Sequence, residues 1–345
     1  MEEEKKLYPF RLIPIPDSFP WGDETHCLAD LGYRDTQIQN GWLSCNTIGE
    51  VMDMYMDRIV GEKVFEYYGR QFPVGIKEID ALGRTPLIVH PCDETAAQRY
   101  DFLGKAKLWY VLETRPDATL YLGFKEDVDV EDFYKGCIEG GVEHMLNAVH
   151  PRKGDHFLIR PGTVHAAQGV KLLEIGEASP LDFCLTGWGQ EVPEEAFDSE
   201  LNVVEALDFI DYSPFKAIEA VAGKIAAEQE FTVTRLDLTD PLHILGGEGG
   251  SFAVYSCLDG EAEIQVREGD SPAVLPIRKG DTILVPAEVD DFFIIPRCRG
   301  TILLETMVER TAEEDAYIDP NAEPQLPDEG EEFTFNSVYG RFSKN

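Results

Sequence analysis

The chain has 345 residues, 43% of them hydrophobic, and carries 65 acidic side chains against 30 basic ones for a formal net charge of −35. That is enough apolar sequence for two domains or one large layered unit, so a chain disordered throughout is excluded. The charge excludes nucleic acid and anionic membrane surfaces as broad partners, but leaves room for a small phosphorylated ligand held by local cations and backbone N–H groups.

Residues 8 to 50 mix Leu12, Ile13 and Ile15 with Pro14, Pro16, Pro20, Gly22 and Gly32, which predicts short strands and turns. In Phe19-Pro20-Trp21-Gly22, Trp21 reads first as a core aromatic and second as a platform for a sugar ring. Strand-length apolar runs follow at 74–79, 87–89 and 108–112. Between and after them, 93–103 and 130–148 carry periodic apolar positions that predict helices. Strands are expected again at 156–159 and 169–175, with Lys153-Gly154-Asp155 and Gly162-Thr163 as turns and a further turn at Gln168-Gly169.

A mixed helical region is expected from Leu201 to Glu219, broken by Pro214. From Phe231 the strand rhythm restarts, with strands at 231–238, 252–257 and 283–285 and a hairpin turn at Asp259-Gly260. Lys279-Gly280-Asp281 followed by Ala287 echoes Lys153-Gly154-Asp155 followed by Pro161, an internal repeat of one barrel unit. The second copy has no counterpart of His165. The expected division is an N-terminal barrel with helical excursions and the candidate site (1–200), a helical linker (201–229), a second barrel without metal-site histidines (230–308) and an acidic tail (309–345) whose aromatic end, from Phe333, docks back as a strand.

Seven cysteines without CxxC spacing read as reduced, mostly buried thiols. The start is charged and then proline-rich, and no stretch approaches the roughly 18 apolar residues of a spanning helix. The expectation is a cytoplasmic protein without a membrane or nucleic-acid partner.

Taken singly, His90 in Val89-His90-Pro91 reads as a satisfied histidine. The run Gly154, Arg160, Gly162, His165 alters that, because it follows the second half of the cupin signature, with Arg160 where proline is usual. Two inward histidines can give two nitrogen ligands to a divalent metal, and a carboxylate would complete a catalytic set.

From about Pro20 to about Thr306 the chain resembles the type I mannose-6-phosphate isomerases of the cupin superfamily. Phe19-Pro20-Trp21-Gly22, Ile48-Gly49-Glu50, Phe72-Pro73, Lys77 to Ala81, Val89-His90-Pro91-Cys92-Asp93, Gly104-Lys105 with Trp109-Tyr110, and Gly162-Thr163-Val164-His165-Ala166 carry the resemblance. It implies a mainly β fold of two cupin (jelly-roll) barrels with helical insertions. It also implies a zinc site in the first barrel that supports aldose–ketose isomerisation of a six-carbon sugar phosphate through an enediol.

Carried over by position, the two histidine ligands fall on His90 and His165. The glutamine ligand falls on Ile88, the glutamate ligand on Lys107, and the catalytic arginine near Cys184. Lys105 matches the lysine that faces the phosphate, with Lys77 second to it.

Glu113 lies too far along its strand to replace the lost carboxylate. Glu174 is the better candidate, returned beside His165 by a turn at Gln168-Gly169, with Cys92 and Asp93 behind it. A Lys107 ammonium hydrogen-bonded by His90, His165 and Glu174 would supply a positive charge where the metal would sit, without its Lewis acidity. Lys107 and Glu174 are thus the candidate catalytic residues, Lys105 and Trp21 the candidate substrate contacts, and His90 and His165 the candidate zinc ligands. The small-molecule partner is a sugar or sugar phosphate. Three readings stay open: a sugar-phosphate isomerase, a silent or regulatory sugar-binding bicupin, and an isomerase or epimerase of an unphosphorylated sugar.

Overall fold

A computed structural model describes residues 5–193, 196–217, 223–246, 250–268 and 271–309. It is mainly β, with curled sheets of nine, seven and four strands. The nine-stranded sheet forms the N-terminal barrel around the long antiparallel pair Lys107–Phe124 and His165–Glu177, flanked by Val74–Ala81, Gly22–Leu28 and Leu87–Val89. The seven- and four-stranded sheets face each other in the C-terminal half, enclosing Tyr255, Ile264, Ile283, Phe292 and Leu303. The first strand, Phe10–Ile13, leaves its own half and pairs with Thr282–Val285.

The predicted strands at 74–79, 87–89 and 156–159 are present as Val74–Ala81, Leu87–Val89 and His156–Ile159. Asp93–Tyr100 and Val130–Glu139 are helices, the second capped by Asp129, whose side chain accepts from the N–H groups of Glu131 and Asp132.

Several expectations are corrected. The 130–148 segment ends as the strand Leu146–Val149 rather than as helix. In the 201–219 region only Val203–Ala206 is helical among the described residues. Asp259-Gly260 is not a hairpin. Ala253–Asp259 pairs in one sheet and Glu261–Glu268 in another, so this is the corner where the chain changes sheets, with Gly260 at φ 75. Of the seven cysteines only Cys27, Cys137 and Cys257 are buried. The tail and its expected docking strand lie outside the described residues, except Glu309.

The internal repeat has a structural counterpart. Gly154 and Gly280 adopt φ 91 and 89. In the first copy the Asp155 side chain accepts from Arg152 N at 2.8 Å, and in the second Asp281 accepts from Arg278 N at 2.9 Å. A positive φ is what glycine tolerates, and the aspartate closes the turn on its own backbone. The two turns face each other across an inter-barrel cleft of about 370 Å³.

Candidate functional site

The site is a row of side chains laid across neighbouring strands. His26 pairs with Lys77, Lys77 with Glu174, and Glu174 with Trp109, each directly opposite the next in antiparallel register. Directly opposed residues project from the same face of a sheet, so the four meet inside the barrel although they lie far apart in the chain. Lys107 joins them from two positions before Trp109, and Glu24 from two before His26.

Glu174 is the hub. Its Oε2 accepts from Trp109 Nε1 at 2.7 Å and lies 2.9 Å from Lys107 Nζ, while Oε1 lies 3.9 Å from Lys77 Nζ. Lys77 also binds Glu24 at 2.7 Å. Lys107 is 1% exposed, and its Nζ lies 5.5 Å from the centre of the Trp109 ring. Gly176 stands opposite Lys107 because an added Cβ there would lie 2.7 Å from the lysine Cβ. Lys105 Nζ binds Asp182 Oδ1 at 2.7 Å.

His90 follows the strand Leu87–Val89, and His165 opens the strand that carries Glu174. Their rings lie 4.9 Å apart. The Nδ1 of His90 lies 3.0 Å from Leu181 O and 3.1 Å from Asp182 Oδ1, and the Nδ1 of His165 lies 2.8 Å from Thr163 O. Facing acceptors, both Nδ1 atoms carry the proton, which leaves each Nε2 as a lone-pair acceptor. Both Nε2 atoms are buried without a hydrogen-bond partner.

Burial and neighbouring charges shift the protonation of several members. It pushes His90 and His165 well below the usual histidine value, with the Lys107 cation second, and takes His26 down to about 4, with Lys77 second. Burial also lowers Lys107, against the pull of Glu174. Glu174 is held well below the usual carboxylate range: burial opposes this, but Lys107 and Lys77 together outweigh it.

Two expectations about this site are corrected. No turn at Gln168-Gly169 brings a second strand beside His165, because His165–Glu177 is one continuous strand. Gly169, at φ 65 and beside a register shift, resets the alternation, so that His165 and Glu174, an odd number of residues apart, both line one cleft. And Lys107 binds Glu174 alone, since neither imidazole Nε2 has a partner.

Ile88 stands opposite His165 and lines the same cleft, so the position that resemblance assigns to a ligand is an apolar wall. Cys184 gives no positive group, and burial pushes its thiol up to about 11. Asp93 is spent on structure, accepting from Gly104 N at 2.8 Å, and Cys92 is exposed. Trp21 is buried, stacked on Phe19 at 4.9 Å, and lines the cleft with Phe197.

Asp182, Glu24 and His26 are site members that sequence reasoning did not select. Strand parity with Lys77 would have exposed the last two only once the pairing was known.

The cleft of about 50 Å³ beside His165, Trp109 and Glu174 shares Asp182, Ala196 and Phe197 with a wide groove of about 950 Å³. Such a layout can grip the oxygens of a polyhydroxylated ligand from below while its remainder lies in the groove.

The two Nε2 atoms suit a divalent cation, but the rest of the set does not. The carboxylate beside them is engaged by Trp109 and Lys107, and a buried ammonium stands next to the place a cation would take. Among the described residues no three His, Cys, Asp or Glu side chains form a metal-holding group.

Fold and site define a two-barrel cupin-type protein with a buried polar cluster in its first barrel. No family profile matches the chain. Mannose-6-phosphate isomerase ManA of Bacillus subtilis is 25% identical over 279 residues, covering 77% of this chain and 84% of that protein. The mannose-6-phosphate isomerase of Streptococcus mutans is 23% identical over 224 residues, covering 62% and 68%. Among solved structures, the Bacillus subtilis mannose 6-phosphate isomerase superposes with TM-score 0.73 at 19% identity, over 87% of this chain and 99% of that one. A mutant of phosphomannose isomerase from Salmonella typhimurium gives TM-score 0.69 at 14% identity, over the same shares. Over most of its length the chain is thus similar to mannose-6-phosphate isomerases, in sequence and in fold. Among the described residues no helix is long and apolar enough to cross a membrane.

Proposed function

We propose that the first barrel interconverts the aldose and ketose forms of a six-carbon sugar phosphate, the reaction named for its relatives. The observation that carries this reading is the buried Lys107–Glu174 pair, whose carboxylate lines the same cleft as His165 with its bare Nε2. Lys107, anchored by Glu174, offers its remaining N–H donors to the C1 carbonyl and C2 hydroxyl oxygens. The neutral His165 Nε2 removes the proton from C2. The C–H electrons form the C1–C2 double bond as the carbonyl oxygen takes up a proton from the Lys107 ammonium, which yields the enediol. The C2 hydroxyl then gives its proton to the Lys107 amine, the C2 carbonyl forms, and the imidazolium returns its proton to C1.

Trp21 and Phe19 supply an apolar face for the sugar ring, and Lys105 a cation for the phosphate once Asp182 shares it. Zinc has no step in this scheme, because the donor set described above does not suit it.

The test is conversion of mannose 6-phosphate to fructose 6-phosphate by a coupled assay, together with deuterium uptake from solvent at C1 or C2. Conversion that falls at least about 100-fold in His165→Gln supports the reading. Absence of both conversion and exchange, with saturable sugar binding retained, would favour a binding protein instead. One observation leans that way: Lys77, Lys105 and Lys107 each already have a carboxylate partner.

A further inference from the structure

Two buried imidazoles whose rings lie 4.9 Å apart, each with an Nε2 that has no hydrogen-bond partner, call for a cation or a donor. Backbone carbonyls lock both rings through Nδ1, so neither histidine can swing away to find a partner elsewhere. The positive charge in reach is the ammonium of Lys107, whose stem is fixed by the close approach of Gly176 and whose Nζ is held by Glu174. A divalent ion bound to the two Nε2 atoms would lie beside that ammonium in a medium of low dielectric, where like charges repel strongly. It would also lack a carboxylate, because Glu174 is shared among Trp109, Lys107 and Lys77, and Asp182 between Lys105 and His90.

The geometry points to Lys107 as the residue that keeps divalent metal out of this barrel and provides, as a fixed ammonium, the positive charge that binds ligand oxygens there. The assignment concerns metal uptake and does not rest on the isomerase reading, since uptake is measured without turnover. It implies that the metal preference of the site turns on one side chain. A carboxylate at position 107 would remove the repelling charge, release Glu174 and add the anionic ligand that the two histidines lack.

The experiment titrates chelator-treated, dialysed protein with zinc and, separately, with cobalt(II), whose visible absorption reports its coordination. It uses the full chain, His165→Gln, Lys107→Glu, Lys107→Gln and Lys107→Glu/His165→Gln, with circular dichroism to verify folding. The wild type is expected to show no cobalt band, and Lys107→Glu to bind close to one equivalent at least about 100-fold more tightly. The band should vanish in the double variant. Two outcomes would overturn the inference: one equivalent in the wild type that is lost in His165→Gln, or folded Lys107→Glu and Lys107→Gln proteins that both take up no more metal than the wild type. Failure of the isomerase assay alone would leave the metal result standing, and the reverse also holds.

Discussion

Lys107 Nζ and Glu174 Oε2 lie 2.9 Å apart at residues only 1% and 6% exposed, so a full ion pair is closed off from solvent within the first barrel. Such a pair contributes little net stability, because desolvation offsets its attraction, yet losing one partner strands the other. Lys107→Met and Glu174→Gln should each destabilise the fold by about 3–5 kcal/mol, while Lys107→Met/Glu174→Gln loses clearly less than their sum. Urea unfolding of the three variants checks this; strict additivity would mean the two charges do not interact.

Asp182 neutralises Lys105 at 2.7 Å and also faces the His90 ring. Asp182→Asn keeps an oxygen for the ring and frees the lysine charge. KM for a phosphorylated sugar should fall about 3- to 10-fold, with that for the free sugar unchanged. Equal changes for both ligands would take Lys105 away from the phosphate.

Gly104 packs against the loop after His90: an added Cβ would lie 2.5 Å from Asp93 N and 2.7 Å from Pro91 O. The same loop receives Gly104 N at Asp93 and Lys105 N at Pro91 O. Gly104→Ala therefore must push His90 and Lys105 apart, at a cost of about 2–4 kcal/mol. A thermal midpoint within a degree of the wild type would show that the loop yields freely.

Acid should unfold the protein in two stages. His26, held at about 4 in the fold against an ordinary 6.5, binds its proton more readily when unfolded. Stability from this group is complete above about pH 6.5 and is lost as pH falls toward 4, a loss of about 3 kcal/mol, with His90 and His165 acting in the same direction. Glu174 and Asp182, held low, add a second loss below about pH 4. Asp30 acts in the opposite sense: burial raises it to about 6, so its contribution is present at low pH and fades as pH rises through 6. Thermal midpoints should drop between pH 7 and 4.5, less steeply in His26→Gln and more steeply in Asp30→Asn. A flat wild-type profile would contradict the buried, neutral histidines.

The strands at 74–79 and 87–89, the twin Lys-Gly-Asp turns and the identity of His90, Lys107 and His165 were legible in the chain, because alternation, turn glycines and motif spacing are local properties. The interrupted helix after Leu201 and the corner at Asp259-Gly260 were not, since packing and sheet membership override local propensity there. Glu174 was chosen from the sequence for a reason that the structure replaces: no turn returns it to His165, and it reaches the site because Gly169 shifts the alternation of one long strand.

By itself the sequence determined which chemical groups this barrel owns, with a lysine and an isoleucine where resemblance places ligands. Only the tertiary structure decided which charges pair: Lys107 with Glu174, Lys77 with Glu24, and Lys105 with Asp182. The physical reason is register. Residues 26, 77, 109 and 174 come from four strands, and a slip of one residue in any pairing would turn that strand's members of the row to the opposite face.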